Sequence, residues 1–187
     1  MRMTSKSLDD LRKALADVDG LVRHARSFSR GKRGAPASVE GVTRPGRPFT
    51  HAAVVMLAGA TEAFFESLAL EPAGKLPLTD EQSKDIKEVV DRMHGIGPGN
   101  VHGLYAALGC PFVLDELGWK GLRKGSVRKR LAALRNKRNK IAHGKAPQAS
   151  QVKDVVKDQH FVESLAAALE KRMEDRIAEV TGSSFTW

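Results

Sequence analysis

Cysteine is almost missing from this chain: among 187 residues the one thiol is Cys110. A disulfide framework and a cysteine-based zinc site are thereby excluded, and a lone thiol fits a reducing cytoplasm. Aromatics are scarce at 5%, and β-branched residues rarely cluster, so strands find little support. No continuous apolar run follows the basic N-terminus, which argues against a signal peptide. No segment is expected to reach the length of a membrane span, and no membrane association follows. Acids are absent from two long stretches, residues 20–39 and 117–153.

What remains favours helix. Ala, Leu, Val, Glu, Lys and Arg dominate, and all are at home in helices or on helix surfaces. The length suits one domain, with room for a core that needs no staples. A formal net charge of +9 speaks about partners rather than fold. Its distribution is sharper than its sum. The acid-free stretch 117–153 carries Arg128, Lys129, Arg130, Arg135, Lys137, Arg138 and Lys140. Such segregation suits a polyanion-binding face; the bland alternative is a solvated basic surface.

Periodicity predicts a succession of helices. Ser7 can cap a first one with Leu8, Leu11, Leu15, Val18 and Val22 at spacings of three and four. Residues 29–49, rich in Gly, Pro, Arg and Ser, read as a basic loop. Residues 51–70 are apolar nearly all round, so they predict a central buried helix. Glu62 interrupts it, and a buried carboxylate needs a partner or a cleft. Thr79-Asp80-Glu81-Gln82 is a capping-box pattern opening a helix that stops at Gly95. Asn100 is expected to cap a short helix to Leu108, and Pro111 to begin one more turn. Ser126 is expected to cap a helix with Val127, Leu131, Leu134 and Ile141 as its stripe, ended by Gly144 and by Pro147 beyond it. Ser150 is expected to start the last helix, with a break near residues 158–160. No repeat and no strand signal compete. The fold class is all-α: a bundle of about four main helices plus short extra ones. Residues 1–49 form an N-terminal helix and basic loop, 50–182 the main helical domain, and 183–187 a tail.

The most informative stretch is Arg135-Asn136-Lys137-Arg138-Asn139-Lys140-Ile141-Ala142-His143-Gly144. Helical spacing lines up Arg135, Asn139 and His143 on one face. Arg138 falls on the apolar stripe, so it is expected in a packing seam or cleft. Arg138 and His143 are five apart, about 140° around an ideal helix. They meet only if the helix bends or ends at the histidine. A basic helix end also has a plain explanation, because the helix dipole favours cations in a last turn.

Arg138-Asn139-Lys140-Ile141-Ala142-His143 resembles the Arg-polar-x-x-x-His motif of HEPN domains, which are all-α nucleotide-binding or RNase domains. The apolar helix over 54–65 resembles the first core helix of the RiboL-PSP-HEPN and MAE-type branches, which place an acid about where Glu62 lies. The resemblance covers roughly 50–180; residues 1–49 fall outside it. It implies metal-independent RNA cleavage by a homodimer in a toxin–antitoxin or phage-defence setting, with an antitoxin or defence partner. Neither cofactor nor metal is implied. Arg138, Asn139 and His143 would be catalytic, and Glu62 a supporting carboxylate.

The residue types suit that chemistry on their own. Attack of a 2′-hydroxyl on the adjacent phosphorus leaves a 2′,3′-cyclic phosphate and a 5′-hydroxyl. A base takes the 2′ proton, an acid protonates the leaving oxygen, and a cation steadies the phosphorane. His143 can be neutral or charged near working pH. Arg138 is a permanent fork for phosphate oxygens, and Asn139 can orient the ribose or the histidine. Arg135, Lys137, Lys140, Arg128 and Arg130 are expected to hold RNA, transfer RNA among the candidates.

A runner-up is a non-catalytic nucleic-acid or nucleotide binder. Met93-His94-Gly95-Ile96-Gly97-Pro98-Gly99-Asn100-Val101-His102 resembles the turn of a helix–hairpin–helix DNA-binding motif, whose backbone amides hold phosphate. The same pattern serves as an ordinary helix–helix loop. Gly31-Lys32-Arg33-Gly34 lacks the residues of a P-loop. His24, His51, His94, His102 and His160 show no metal-ligand spacing. Trp119 and Trp187 could stack on bases, and Trp119 also fits a core position at a helix junction.

Overall fold

The computed structural model describes residues 4–28, 45–145 and 151–187. Among them are seven helices and no strand: α1 Lys6–Ser27, α2 Arg47–Ala73, α3 Asp80–Asp91, α4 Pro98–Ala106, α5 Val113–Glu116, α6 Ser126–Ala142 and α7 Val152–Thr181. The all-α class is as the sequence implies. The basic loop expected over 29–49 lies outside the described residues up to Arg44, as do Pro147 and Ser150, and its last three positions are helical, because α2 begins at Arg47 with Pro48 in its first turn.

Helix α2 is the hub. It packs against α1, α3, α4, α6 and α7. Ala53, Val54, Leu57, Phe64, Phe65 and Leu68 are buried along it. Thr61 is buried too, and its hydroxyl donates to the Leu57 carbonyl at 2.6 Å, so no polar atom is stranded. The helix is not enclosed all round, however. Ala52, Val55, Met56, Gly59, Ala63 and Leu70 are exposed along one side. By length and composition α2 could cross a membrane, against the expectation that no segment would; half of that apolar window is buried within the fold. Its packing partners account for the apolarity as that of a core helix.

Helix α1 runs antiparallel to α2. Ser7 near its start donates to the Glu71 carboxylate near the end of α2. At the other end, His24 stacks on Phe49 with ring centroids 5.7 Å apart. Leu8, Leu11, Leu15, Val18 and Val22 are buried as their spacing implies, in the same core as α2. The segment ahead of residue 50 therefore shares its core with the rest. Ser5 rather than Ser7 is the N-cap, accepting from the Leu8 amide at 3.1 Å. Ser7 is drawn away because Glu71 takes its amide and hydroxyl.

The capping box at the start of α3 forms as the sequence implies, Thr79 and Gln82 bonding each other's backbone. Helix α4 starts at Pro98 behind Gly97, not at Asn100. Proline fits a first helical turn because its missing N–H is unpaired there anyway. Helix α7 runs unbroken through residues 158–160. The polar cluster there reads as a break in sequence, but Asp158 and Gln159 point at partners on other helices.

Candidate nucleic-acid interface

Helix α6 begins behind Gly125, whose φ of 76° is left-handed, so Gly125 takes the N-cap place expected of Ser126. Its apolar stripe is real but short. Val127, Leu131 and Leu134 are buried, Ile141 is half-buried, and Arg138 is exposed. Arg138 was expected in the seam because its phase matches Leu131 and Leu134. The seam thins after Leu134: Ile141 still packs on the core half-buried, but the last two turns of α6 carry exposed residues on most sides.

The tip is closed by a Schellman arrangement. The Lys145 amide donates to Lys140 O at 2.8 Å and the Gly144 amide to Ile141 O at 3.1 Å. Gly144 has φ 66°, which is why glycine stands there. The His143 amide still donates to Asn139 O at 3.0 Å. His143 therefore keeps a helical position at the C-cap, and no bend brings it round to Arg138. Among the described residues no hydrogen bond or ion pair joins them. The Arg138 guanidinium instead donates to Asn139 Oδ1 at 3.3 Å. His143, Arg138, Lys140 and Lys145 are all exposed, and Asn139 is half-buried.

Other cations of the helix are engaged. Lys137 Nζ lies 2.6 Å from Asp158 Oδ2, with Asp158 buried at 8% exposure. Arg128 reaches Asp115 at 3.4 Å. Arg130 donates to the Lys157 carbonyl at 3.1 Å and lies 4.9 Å over the Phe161 ring. The sequence missed Asp158 and Phe161 as partners. Their signal was the apolar register they share with Val155, Val162 and Leu165.

Arg135 belongs to a different constellation. A Cβ on Gly97 would lie 3.0 Å from Arg135 Nη1, so the arginine rests against the Gly95–Gly97 turn. Glu62 accepts the Gly95 amide. The partner its half-buried position calls for is thus a backbone N–H. Asn100 Nδ2 donates to the carbonyls of His94 at 2.6 Å and Gly95 at 3.0 Å. Burial, then the nearby Glu62 carboxylate, raises the Glu66 pKa, and His94 offsets part of that. The loop that resembles a phosphate-binding turn therefore has one amide taken by a carboxylate and a second acid beside it.

Among the described residues no three His, Cys, Asp or Glu side chains are grouped to hold a metal ion. Cys110 is buried, and burial raises its thiol pKa despite Arg172 and Arg176 nearby, which describes an inert core thiol. No protein-family model, no curated protein and no solved structure matches the chain.

Proposed function

We propose that this protein is a metal-independent endoribonuclease of the HEPN kind, acting through the tip of α6. The observation that supports the reading is the basic end of α6: Arg138 and His143 are exposed within its last turns, Arg138 donates to Asn139, and the helix carries no acid. Arg138 would hold the scissile phosphate, His143 would move the proton, and Asn139 would orient the sugar. The 2′-hydroxyl attacks phosphorus, the 5′-oxygen leaves with a proton, and a 2′,3′-cyclic phosphate remains.

One chain supplies one histidine, held about 140° around the helix from Arg138. A two-fold pairing of tips would bring two histidines and two arginines to one phosphodiester, dividing the acid and base roles. Val55 and Met56, 38% and 41% exposed on α2, offer apolar surface for a second copy to cover. A solution mass showing monomer alone would count against this arrangement. A cytoplasmic toxin–antitoxin or phage-defence setting, with an inhibitory partner, belongs to the same reading.

The test is incubation of total and transfer RNA in EDTA with mapping of the new ends. Cyclic phosphates and 5′-hydroxyls are expected. The separation of Arg138 from His143 within one chain favours one alternative, RNA binding without turnover. That reading gives salt-sensitive affinity and no new ends. Binding through the Gly95–Gly97 turn fits less well, since Glu62 occupies the amide a phosphate would take.

A further inference from the structure

A second basic site lies away from the α6 tip. It is a cavity of about 280 Å³ lined by Trp119, Lys120, Arg130, Lys157, His160 and Phe161, among others, with no carboxylate in its lining. We propose that it seats one nucleotide of a single-stranded RNA, the base against Trp119 and its phosphate between Lys120 and Lys157. The proposal rests on the RNA reading above and extends it to residues outside the α6 tip.

The wall carrying the tryptophan is built rigidly. The Trp119 amide donates to Leu122 O at 3.0 Å, and the Leu122 amide returns the bond to Trp119 O at 2.9 Å. Gly121 takes φ 94° at the turn between them. A Cβ on Gly118 would sit 3.1 Å from the Lys124 amide nitrogen, so the two arms of the turn run close together. One side of the indole leans on Phe161, centroids 6.0 Å apart. Trp119 remains half-exposed and lines the cavity. Fixed aromatic rings give stacking surface at little entropic cost, and any base offers a matching face.

Charge points the same way. Arg130 lines the cavity, held by the Lys157 carbonyl and the Phe161 ring. Lys120 and Lys157 are exposed at the rim. An aromatic wall beside three cations, with no acid in the lining, suits the base and phosphate of a nucleotide. The volume suits one base and not a duplex. Arg130 and Arg138 are on one helix, about 12 Å apart along its axis. A strand seated here can therefore run on toward the tip.

The experiment uses the full chain with Trp187→Phe, leaving Trp119 as the one indole. Fluorescein-labelled oligouridylate is titrated in, reading label anisotropy for binding and indole emission for occupancy of the cavity. Saturable quenching of Trp119 in step with anisotropy is expected, with affinity at least tenfold above that of uridine monophosphate. Lys120→Ala and Lys157→Ala should each lower the slope of log affinity against log salt by about one. Anisotropy that rises while Trp119 stays silent, or lysine variants with unchanged slopes, overturns the cavity and leaves the α6 reading standing. Equal affinity for the monophosphate overturns the assignment to a strand. No anisotropy change at low salt overturns both readings.

Discussion

Replacing Lys137 by alanine strips Asp158 of its cation and leaves a carboxylate buried among apolar neighbours. The reverse change, Asp158→Ala, leaves Lys137 with an easy way out. Side-chain exposure measures the difference: 12% for Asp158 against 34% for Lys137. Removing one partner of a fully buried pair costs about 3–5 kcal/mol. Asp158 keeps a little water, so about 2–3 kcal/mol is expected for Lys137→Ala. Lys137 can swing its ammonium into solvent, so losing Asp158 costs under about 1 kcal/mol. Alanine also recovers about 0.5 kcal/mol of helix propensity at a mid-helix aspartate. Asp158→Ala should therefore fall within about 0.5 kcal/mol of wild type, some 2 kcal/mol milder than its counterpart. Urea unfolding reads both, through midpoints compared at constant slope. A Lys137→Ala variant no less stable than Asp158→Ala would refute the pairing as drawn. The same pair assigns Lys137 to the fold, so Lys137→Ala should leave the salt slope of RNA binding unchanged.

Three further outcomes follow from local geometry. A Cβ on Gly144 or on Gly59 meets nothing within 4 Å, so only backbone preference decides: Gly144→Ala should cost about 1 kcal/mol for its left-handed φ, whereas Gly59→Ala inside α2 should gain about 0.5–1 kcal/mol; thermal midpoints moving the same way would contradict this. Glu66 has a pKa raised in the fold, chiefly by burial, so its ionisation opposes folding as pH rises: stability is intact below about pH 4 and falls as pH climbs through the folded value. Glu66→Gln should thus raise the melting temperature at pH 7 and have no effect near pH 3.5, and an equal gain at both pH values would rule the cause out. Cys110, 1% exposed with its thiol pKa raised, should resist a thiol reagent until the protein is unfolded in urea.

Much of the fold was legible from spacing alone. Leu8 to Val22 in α1, the capping box at Thr79 and the apolar register of α7 each lie where periodicity puts them, because each element buries one stripe. Two of the errors trace to long-range partners that leave no local mark. Ser5 caps α1 because Glu71 claims Ser7. Residues 158–160 stay helical because Asp158 meets Lys137 and Gln159 meets Leu15 and Asp19. Arg138 carries the phase of a seam residue yet is exposed, while Ile141 beyond it still packs on the core half-buried. At the candidate site, sequence grouped Arg138, Asn139 and His143. The fold leaves all three at one helix tip, takes Lys137 and Arg130 for contacts with α7, and sets Arg135 against the Gly97 turn.

His143 and Lys145 make a matched pair on which the central claim turns. Both are exposed at the end of α6, two residues apart, and neither has an acidic partner among the described residues. The decisive measurement is the single-turnover cleavage rate of one labelled RNA in EDTA by wild type, His143→Ala and Lys145→Ala, with circular dichroism to verify the fold. Loss of a general base predicts a fall of about 10²–10⁴-fold for His143→Ala and no more than a weakened affinity for Lys145→Ala. Cleavage by His143→Ala at the wild-type rate, or equal losses in both variants, would contradict the account.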